Sequence, residues 1–199
     1  MSSIISGDLQ GMKLEVPKKG TRPTSQRVKE ALFSTLDHYG LFDIQELLEN
    51  HRDLAVLDLY CGSGALGIEA LSRGYTAATF VDMSANAINC VKENVSKRAG
   101  FKKDITYQQS SVSTFLKEHA CEGKNQKYLL VFIDPPYDLS AEIVCDNIAK
   151  CVNLLAEESI LILEQSSRGQ AIELPEELEV FSTKKYGETV LYYIQLVVK

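Results

Sequence analysis

Asp134-Pro135-Pro136-Tyr137 carries the sharpest chemical content in this 199-residue chain, directly after the apolar run Tyr128–Ile133. Two prolines end a strand abruptly and fix the direction of the backbone that follows. The Pro135 carbonyl is then expected to lack a ladder partner and to stand beside the Asp134 carboxylate. Those two acceptors sit close together, and Tyr137 adds a flat apolar face. An exocyclic amino group on a base is a poor nucleophile, because its lone pair is delocalised into the ring. Two acceptors that grip its two N–H bonds favour a pyramidal nitrogen with the lone pair aimed outward. An aromatic ring holds such a base by stacking. The set suits group transfer to an amino nitrogen, with Asp134 also able to take the released proton. The plainer alternative is a rigid turn capped by aspartate, with Tyr137 packing for its own sake.

A second constellation lies upstream. In LDLYCGSGALGIEALSRG, Gly62, Gly64 and Gly67 stand as G-x-G-x-x-G between a strand and a helix. Glycines there let the chain turn sharply and let a ligand approach the backbone. Asp82 closes the next apolar run, where a carboxylate can hold both ribose hydroxyls of an adenosine. A dinucleotide would set its pyrophosphate on the helix N-terminus. S-adenosylmethionine (SAM) has no phosphate, but its amino acid end needs an acceptor for an ammonium. Asp58, four residues before Gly62, can supply that carboxylate and would repel a pyrophosphate. The pattern therefore favours SAM, with Asp58 as a purely structural acceptor for loop amides left open.

These residues require an alternation of strands and helices to position them. Short apolar runs at 55–59, 77–81, 128–133 and 160–163 read as strands buried on both faces, and 105–109 as a further strand. Helical spacing falls between them: residues 65–73 with Gly74 as the stop, a helix from Ser84, and one through Phe115 and Leu116. Val144, Ile148, Val152 and Leu155 mark a further helix. Strands alternating with helices predict a doubly wound, mostly parallel sheet. Residues 180–186 and 189–198, around Gly187–Glu188, predict an antiparallel closing hairpin. Upstream, 3–6 and 12–16 read as a hairpin around Gly7 and Gly11. A helix capped by Thr24 or Ser25 and a short one near 42–50 follow. Residues 1–51 thus read as an extension on an α/β domain spanning 52–199.

Composition is that of a globular domain: 45% hydrophobic and 24% charged, with 12 Gly and 5 Pro. No run reaches the ~20 apolar residues of a membrane helix, and the first residues do not read as a secretory signal. The five cysteines form no C-x-x-C pair, and the three histidines are scattered. Neither a disulfide framework nor a metal site is expected; a cytoplasmic location without membrane partners is. Net charge is −6, but residues 1–35 hold six basic residues against three acidic ones. Lys97, Arg98, Lys102 and Lys103 form a second basic group. Local basic faces can bind phosphate on an acidic protein.

GTRPTSQRVKEALFSTL, LDLYCGSGALGIEALSRG and FIDPPY together closely resemble the RsmD family, class I SAM-dependent methyltransferases of bacterial 16S rRNA that modify guanine N2. The resemblance runs from the Ile4–Gly7 strand to the terminal YGETVLYY. It implies a Rossmann-like, seven-stranded, mostly parallel sheet with the last strand antiparallel. It implies Asp58, Gly62 and Gly64 at the methionine end, Asp82 and Met83 at the ribose and adenine, and Ser111 and Val112 at the adenine ring. Family members usually carry Asn or Asp followed by Ala at that last pair, so Ser111 departs from the pattern. Thr24 would belong to the segment that closes over the cofactor. Lys18, Lys19, Arg22 and Arg27 would face RNA. The catalytic set would be Asp134, Pro135, Pro136 and Tyr137, with SAM and no metal. The implied partner is 16S rRNA within the small ribosomal subunit or its assembly intermediates, met by a monomer. Cys61 lies in the cofactor loop, away from Asp134, so a cysteine nucleophile is not expected.

Other readings stay open at this level: SAM-dependent transfer to adenine N6, cytosine N4 or a glutamine amide, an NAD-dependent oxidoreductase, or a non-catalytic RNA-binding module. If the basic segment contacts phosphates, charge-neutral substitution of both Lys18 and Lys19 lowers RNA affinity and leaves SAM affinity unchanged. The slope of log affinity against log salt then becomes shallower by roughly 0.7 per lost contact, as read by titration over a range of ionic strength.

Overall fold

The computed structural model describes residues 2–17, 25–50, 54–98, 101, 103–119 and 127–197. It opens with β1 (Ser2–Ser3) and β2 (Lys13–Leu14), paired antiparallel. Helix α1 (Gln26–His38) follows, its first turn capped by the Ser25 hydroxyl, which accepts from the Val28 amide at 3.2 Å. Next come α2 (Ile44–Asn50), β3 (Ala55–Leu59), α3 (Ala65–Ser72), β4 (Ala77–Asp82) and α4 (Ala85–Ser96). Then come β5 (Asp104–Gln109), α5 (Val112–His119), β6 (Tyr128–Ile133) and α6 (Ala141–Cys151). The chain closes with β7 (Leu155–Ser166), β8 (Leu178–Tyr186) and β9 (Thr189–Leu196).

Seven strands form one sheet in the order β5-β4-β3-β6-β7-β9-β8. Pairing is parallel from β5 to β7, and β9 runs antiparallel to both neighbours. The expected Rossmann-like sheet with an antiparallel last strand is therefore present. Strand order reverses between β3 and β6, and sheets of this type bind ligands at the carboxyl ends beside such a reversal. That places the loop after β3 and the segment after β6 side by side. β3 and β6 are buried along their whole length, as central parallel strands with helices on both faces must be.

Alternation along the strands builds two apolar layers. Val56, Phe80, Phe132, Ile162 and Tyr193 face α1, α3 and α4, meeting Leu32, Phe33, Leu71 and Val91. Leu57, Val81, Val131, Leu161 and Ile194 face α5 and α6, meeting Phe115, Leu116, Val144 and Ile148. Ile4, Leu9 and Leu14 of the amino-terminal segment lie in the first layer. Among the described residues no helix is long and apolar enough to cross a membrane.

One expected helix is shorter than its spacing suggested. α6 ends at Cys151, a short 3-10 turn covers Val152–Leu154, and Leu155 already begins β7. The period-four spacing of apolar residues continues because the turn and the irregular start of β7 also pass beneath the core. A register shift between Tyr128 and Leu130 marks that irregularity, with Glu158 at φ 60°. The first hairpin is also narrower than expected, with two residues paired on each side.

The hairpin is fastened to α3 by a buried charge. Both oxygens of Glu69 accept backbone amides, from Ile5 at 2.7 Å and from Ser6 at 3.0 Å. Glu69 also meets the Lys29 ammonium at 3.3 Å and Arg73 Nε at 3.0 Å. Lys29 donates to the Ser3 carbonyl at 2.5 Å, and the Arg73 guanidinium lies over the rings of Phe33 and Phe42. Lys29 and Glu69 are 1% and 0% exposed. Burial pulls the Lys29 pKa below the ordinary lysine range, and the Glu69 charge works against that shift. Gly7 allows the close approach: a Cβ there would lie 1.8 Å from the Ser72 carbonyl oxygen.

Removing one partner of such a pair strands a buried charge. Glu69→Ala is expected to cost about 3–5 kcal/mol of unfolding free energy, measured by urea denaturation. Lys29→Met in the same chain should not restore it, because the Ile5 and Ser6 amides stay unsatisfied.

Candidate cofactor and substrate site

The glycine-rich loop is held by its own backbone and by Asp82. The Cys61 amide donates to the Val81 carbonyl at 3.1 Å, and the Gly64 amide to the Cys61 carbonyl at 2.7 Å. Gly62 and Ser84 amides donate to the two oxygens of Asp82, at 3.0 and 2.8 Å. Each of those oxygens keeps a lone pair for a further donor, such as a sugar hydroxyl. Tyr60 enters the loop at φ 59°, a costly conformation for a non-glycine residue and one that clusters at ligand sites. Its hydroxyl accepts from the Asn147 amide at 2.8 Å.

α3 begins at Gly64, which has no side chain to cap it. Asp58 takes over that task from the neighbouring strand, accepting the Gly67 amide at 2.9 Å. Gly67 is needed for this approach. A Cβ there would lie 2.4 Å from Phe80 Cε1 and 3.0 Å from Asp58 Oδ2. The structural role read from the sequence is thus observed: Asp58 supports the loop with its Oδ2.

Asp58 is 2% exposed, and burial pushes its pKa well above the usual carboxylate range. The Gly67 hydrogen bond opposes the shift, while the charges of Asp134 and Asp82 add to it. The carboxylates at the ends of β4 and β6 therefore both act on the buried one of β3. A cation placed among them relieves desolvation and repulsion together, and an anion aggravates both. These residues fit the ammonium and sulfonium of SAM better than a pyrophosphate. Cys61 is buried beside Asp58 and Asp82, and burial foremost pushes its thiol far up, away from a reactive thiolate.

After β6 the chain emerges from the core within a few residues. Ile133 is 1% exposed, Asp134 and Pro135 are half-buried, and Tyr137 is 59% exposed. The Leu139 amide donates to the Pro136 carbonyl at 3.0 Å, closing a turn before Ser140 caps α6. Met83, after β4, is 76% exposed. Two large apolar side chains thus stand uncovered at the carboxyl edge, next to the acceptors expected to bind adenosine and base.

The other expected positions fall as follows. Ser111 is exposed, and its hydroxyl serves α5, accepting the Thr114 amide at 3.1 Å and bonding Thr114 Oγ1 at 2.7 Å. Val112 is 3% exposed and packs in the second apolar layer. Arg27 is exposed in the first turn of α1. Lys18, Lys19, Arg22 and Thr24 lie outside the described residues.

Asn94 escaped the sequence reading and is central here. It is fully buried on α4, and its amide donates to the carbonyls of Glu15 and Ser63 at 3.0 Å each. Its oxygen accepts the Glu15 amide at 2.8 Å. One side chain thereby ties the exit of the first hairpin to the glycine-rich loop. The available signal was a polar residue on the apolar face of a helix.

Asp58→Asn keeps an acceptor for Gly67 and removes the buried charge. A carboxyl whose folded pKa is raised contributes stability that falls as pH rises from its unfolded value through its folded one. The melting temperature of Asp58→Asn should therefore gain progressively on wild type as pH rises above about 4, as followed by thermal denaturation across a pH series.

The sequence profile of the family described as Conserved hypothetical protein 95 matches residues 2–195. The Bacillus subtilis protein YlbH is 32% identical over 190 residues, covering 94% of each chain. The ribosomal RNA small subunit methyltransferase D of Escherichia coli K12 is 30% identical, over 93% of this chain and 85% of that one. The solved Escherichia coli structure of yhhF superposes with a TM-score of 0.77 at 27% identity, over 98% of this chain and 97% of the other. With its profile matched over nearly the whole chain, the chain belongs to the Conserved hypothetical protein 95 family, the RsmD-type methyltransferases.

Proposed function

We propose that this protein moves a methyl group from SAM to the exocyclic N2 of a guanine in small-subunit (16S) rRNA. The observation that carries this reading is the half-buried Asp134 acting electrostatically on the buried Asp58 at the switch point of the sheet. One carboxylate serves a cationic co-substrate and the other an amino group, within one cleft. The small-subunit rRNA methyltransferase D relatives supply the class of acceptor.

SAM supplies a methyl group already activated on a sulfonium. The chain's own residues do the rest by alignment. Asp58 and the loop at Gly62 and Gly64 receive the amino acid end. Asp82 receives the ribose, Met83 lies over the adenine, and the Ser111–Val112 segment borders it. The Asp134 carboxylate and the Pro135 carbonyl accept the two N–H bonds of N2 and turn its lone pair outward. Tyr137 stacks on the base, and Pro136 fixes the turn. As the nitrogen–carbon bond forms and the carbon–sulfur bond breaks, the surplus proton leaves N2 for Asp134 or water. Catalysis of this kind rests on positioning and charge compensation.

In this reading residues 1–51 form the RNA-facing extension, with Lys18, Lys19, Arg22 and Arg27 meeting phosphates and Thr24 closing over the cofactor. The substrate is rRNA in the small ribosomal subunit or an assembly intermediate, met by a monomer in the cytoplasm. An NAD-dependent oxidoreductase is disfavoured because a pyrophosphate would face the buried Asp58.

The test is transfer of a tritiated methyl group from SAM into rRNA from cells lacking this activity, followed by nucleoside mapping. Label in N2-methylguanosine is expected; label only in another nucleoside, or in protein, overturns the reading. Asp134→Ala should lower kcat by about 10²–10⁴-fold while RNA affinity stays near wild type.

A further inference from the structure

Asp134 by itself does not choose among guanine, adenine and cytosine, since each carries an exocyclic amine. The neighbouring strand supplies a second carboxylate. β6 stops at Ile133, whose register partner on β7 is Leu163. β7 continues through Glu164, Gln165 and Ser166, supported on its far side by β9, with Glu164 opposite Leu191. Glu164 is thus one step beyond the last β6–β7 pair, alongside Asp134.

The two carboxylates share a face of the sheet. Successive strand residues alternate, so Glu164 lies on the side of Ile162 and Leu191, in the layer beneath α1 and α3. Asp58 receives an amide of α3 on that same side and feels the Asp134 charge. Glu164 is 8% exposed and directly follows the apolar run Ile160–Leu163. An ionised carboxylate only accepts hydrogen bonds, so at this position it favours donors over acceptors.

We propose that Glu164 selects guanine by accepting the N1–H of the base while Asp134 and the Pro135 carbonyl hold N2. This assignment rests on the guanine-N2 reading above. Guanine alone among the standard bases presents a ring N–H beside its amine. Adenine and cytosine present a ring nitrogen lone pair there, which a carboxylate repels. A site built around such a donor rejects analogues lacking it far more strongly than shape does. Glu164 is accordingly a specificity residue that touches the base but not the transferred methyl.

The test compares two RNAs, one with guanine and one with 2-aminopurine at the mapped nucleotide. 2-Aminopurine keeps the amine and replaces N1–H by a lone pair. Wild type should prefer guanine strongly in kcat/KM. Glu164→Gln can offer an N–H to that lone pair, so the preference should fall at least about tenfold, with SAM affinity unchanged. A wild-type protein that methylates both RNAs equally overturns the assignment without recourse to any variant. So does a Glu164→Gln protein that loses both activities in equal proportion, as a structural role predicts. Both of those outcomes leave guanine-N2 methylation standing. If wild type transfers no methyl to guanine, the functional reading itself fails, and this assignment with it.

Discussion

A carboxylate buried under the first turn of α3 dominates the energetics of the carboxyl edge. Asp58 is nearly inaccessible, bonded to Gly67, and pressed by the charges of Asp82 and Asp134. Without a cation, that arrangement spends stability on desolvation and repulsion. Under the proposed function, the same groups would act as a preorganised receptor for a cation. The fold makes the cost tolerable by anchoring each acid separately. Asp82 takes two loop amides, and Asp58 takes a helix amide.

α3 is the element through which the rest of the molecule bears on that edge. Its amino-terminal end rests on Asp58, and its middle carries Glu69, which holds the first hairpin and α1. Asn94 makes a second tie, from the hairpin exit to the loop carbonyl at Ser63. Glu15, at the hairpin exit, is thereby fixed to α4 and the glycine-rich loop, and Ser25 caps α1.

Much of this was legible from residue order because the signals were local. Unbroken apolar runs gave β3 and β6 to the residue, Ser84 declared its cap, and the structure assigns the α1 cap, open between Thr24 and Ser25, to Ser25. The prolines at 135 and 136 mark the end of β6 as firmly as any contact does. The carboxyl end of α6 was misread because a 3-10 turn and a bulged strand start repeat the spacing of a helix. Asn94 and Glu69 offered only a polar residue within a helix pattern, since their partners lie tens of positions away.

By itself the sequence determined the alternation of strands and helices, the glycine-rich turn, the acid after the second strand of the parallel sheet, and the proline-stopped acceptor pair. Those features depend on backbone restrictions and periodicity within a few residues. The tertiary structure alone decided that Asp58 is buried and coupled to Asp134, that Glu69 pins the amino-terminal hairpin, and that Glu164 stands beside the reactive edge. Burial, register and charge coupling arise only when distant segments share a low-dielectric interior, and no short window of sequence contains that information.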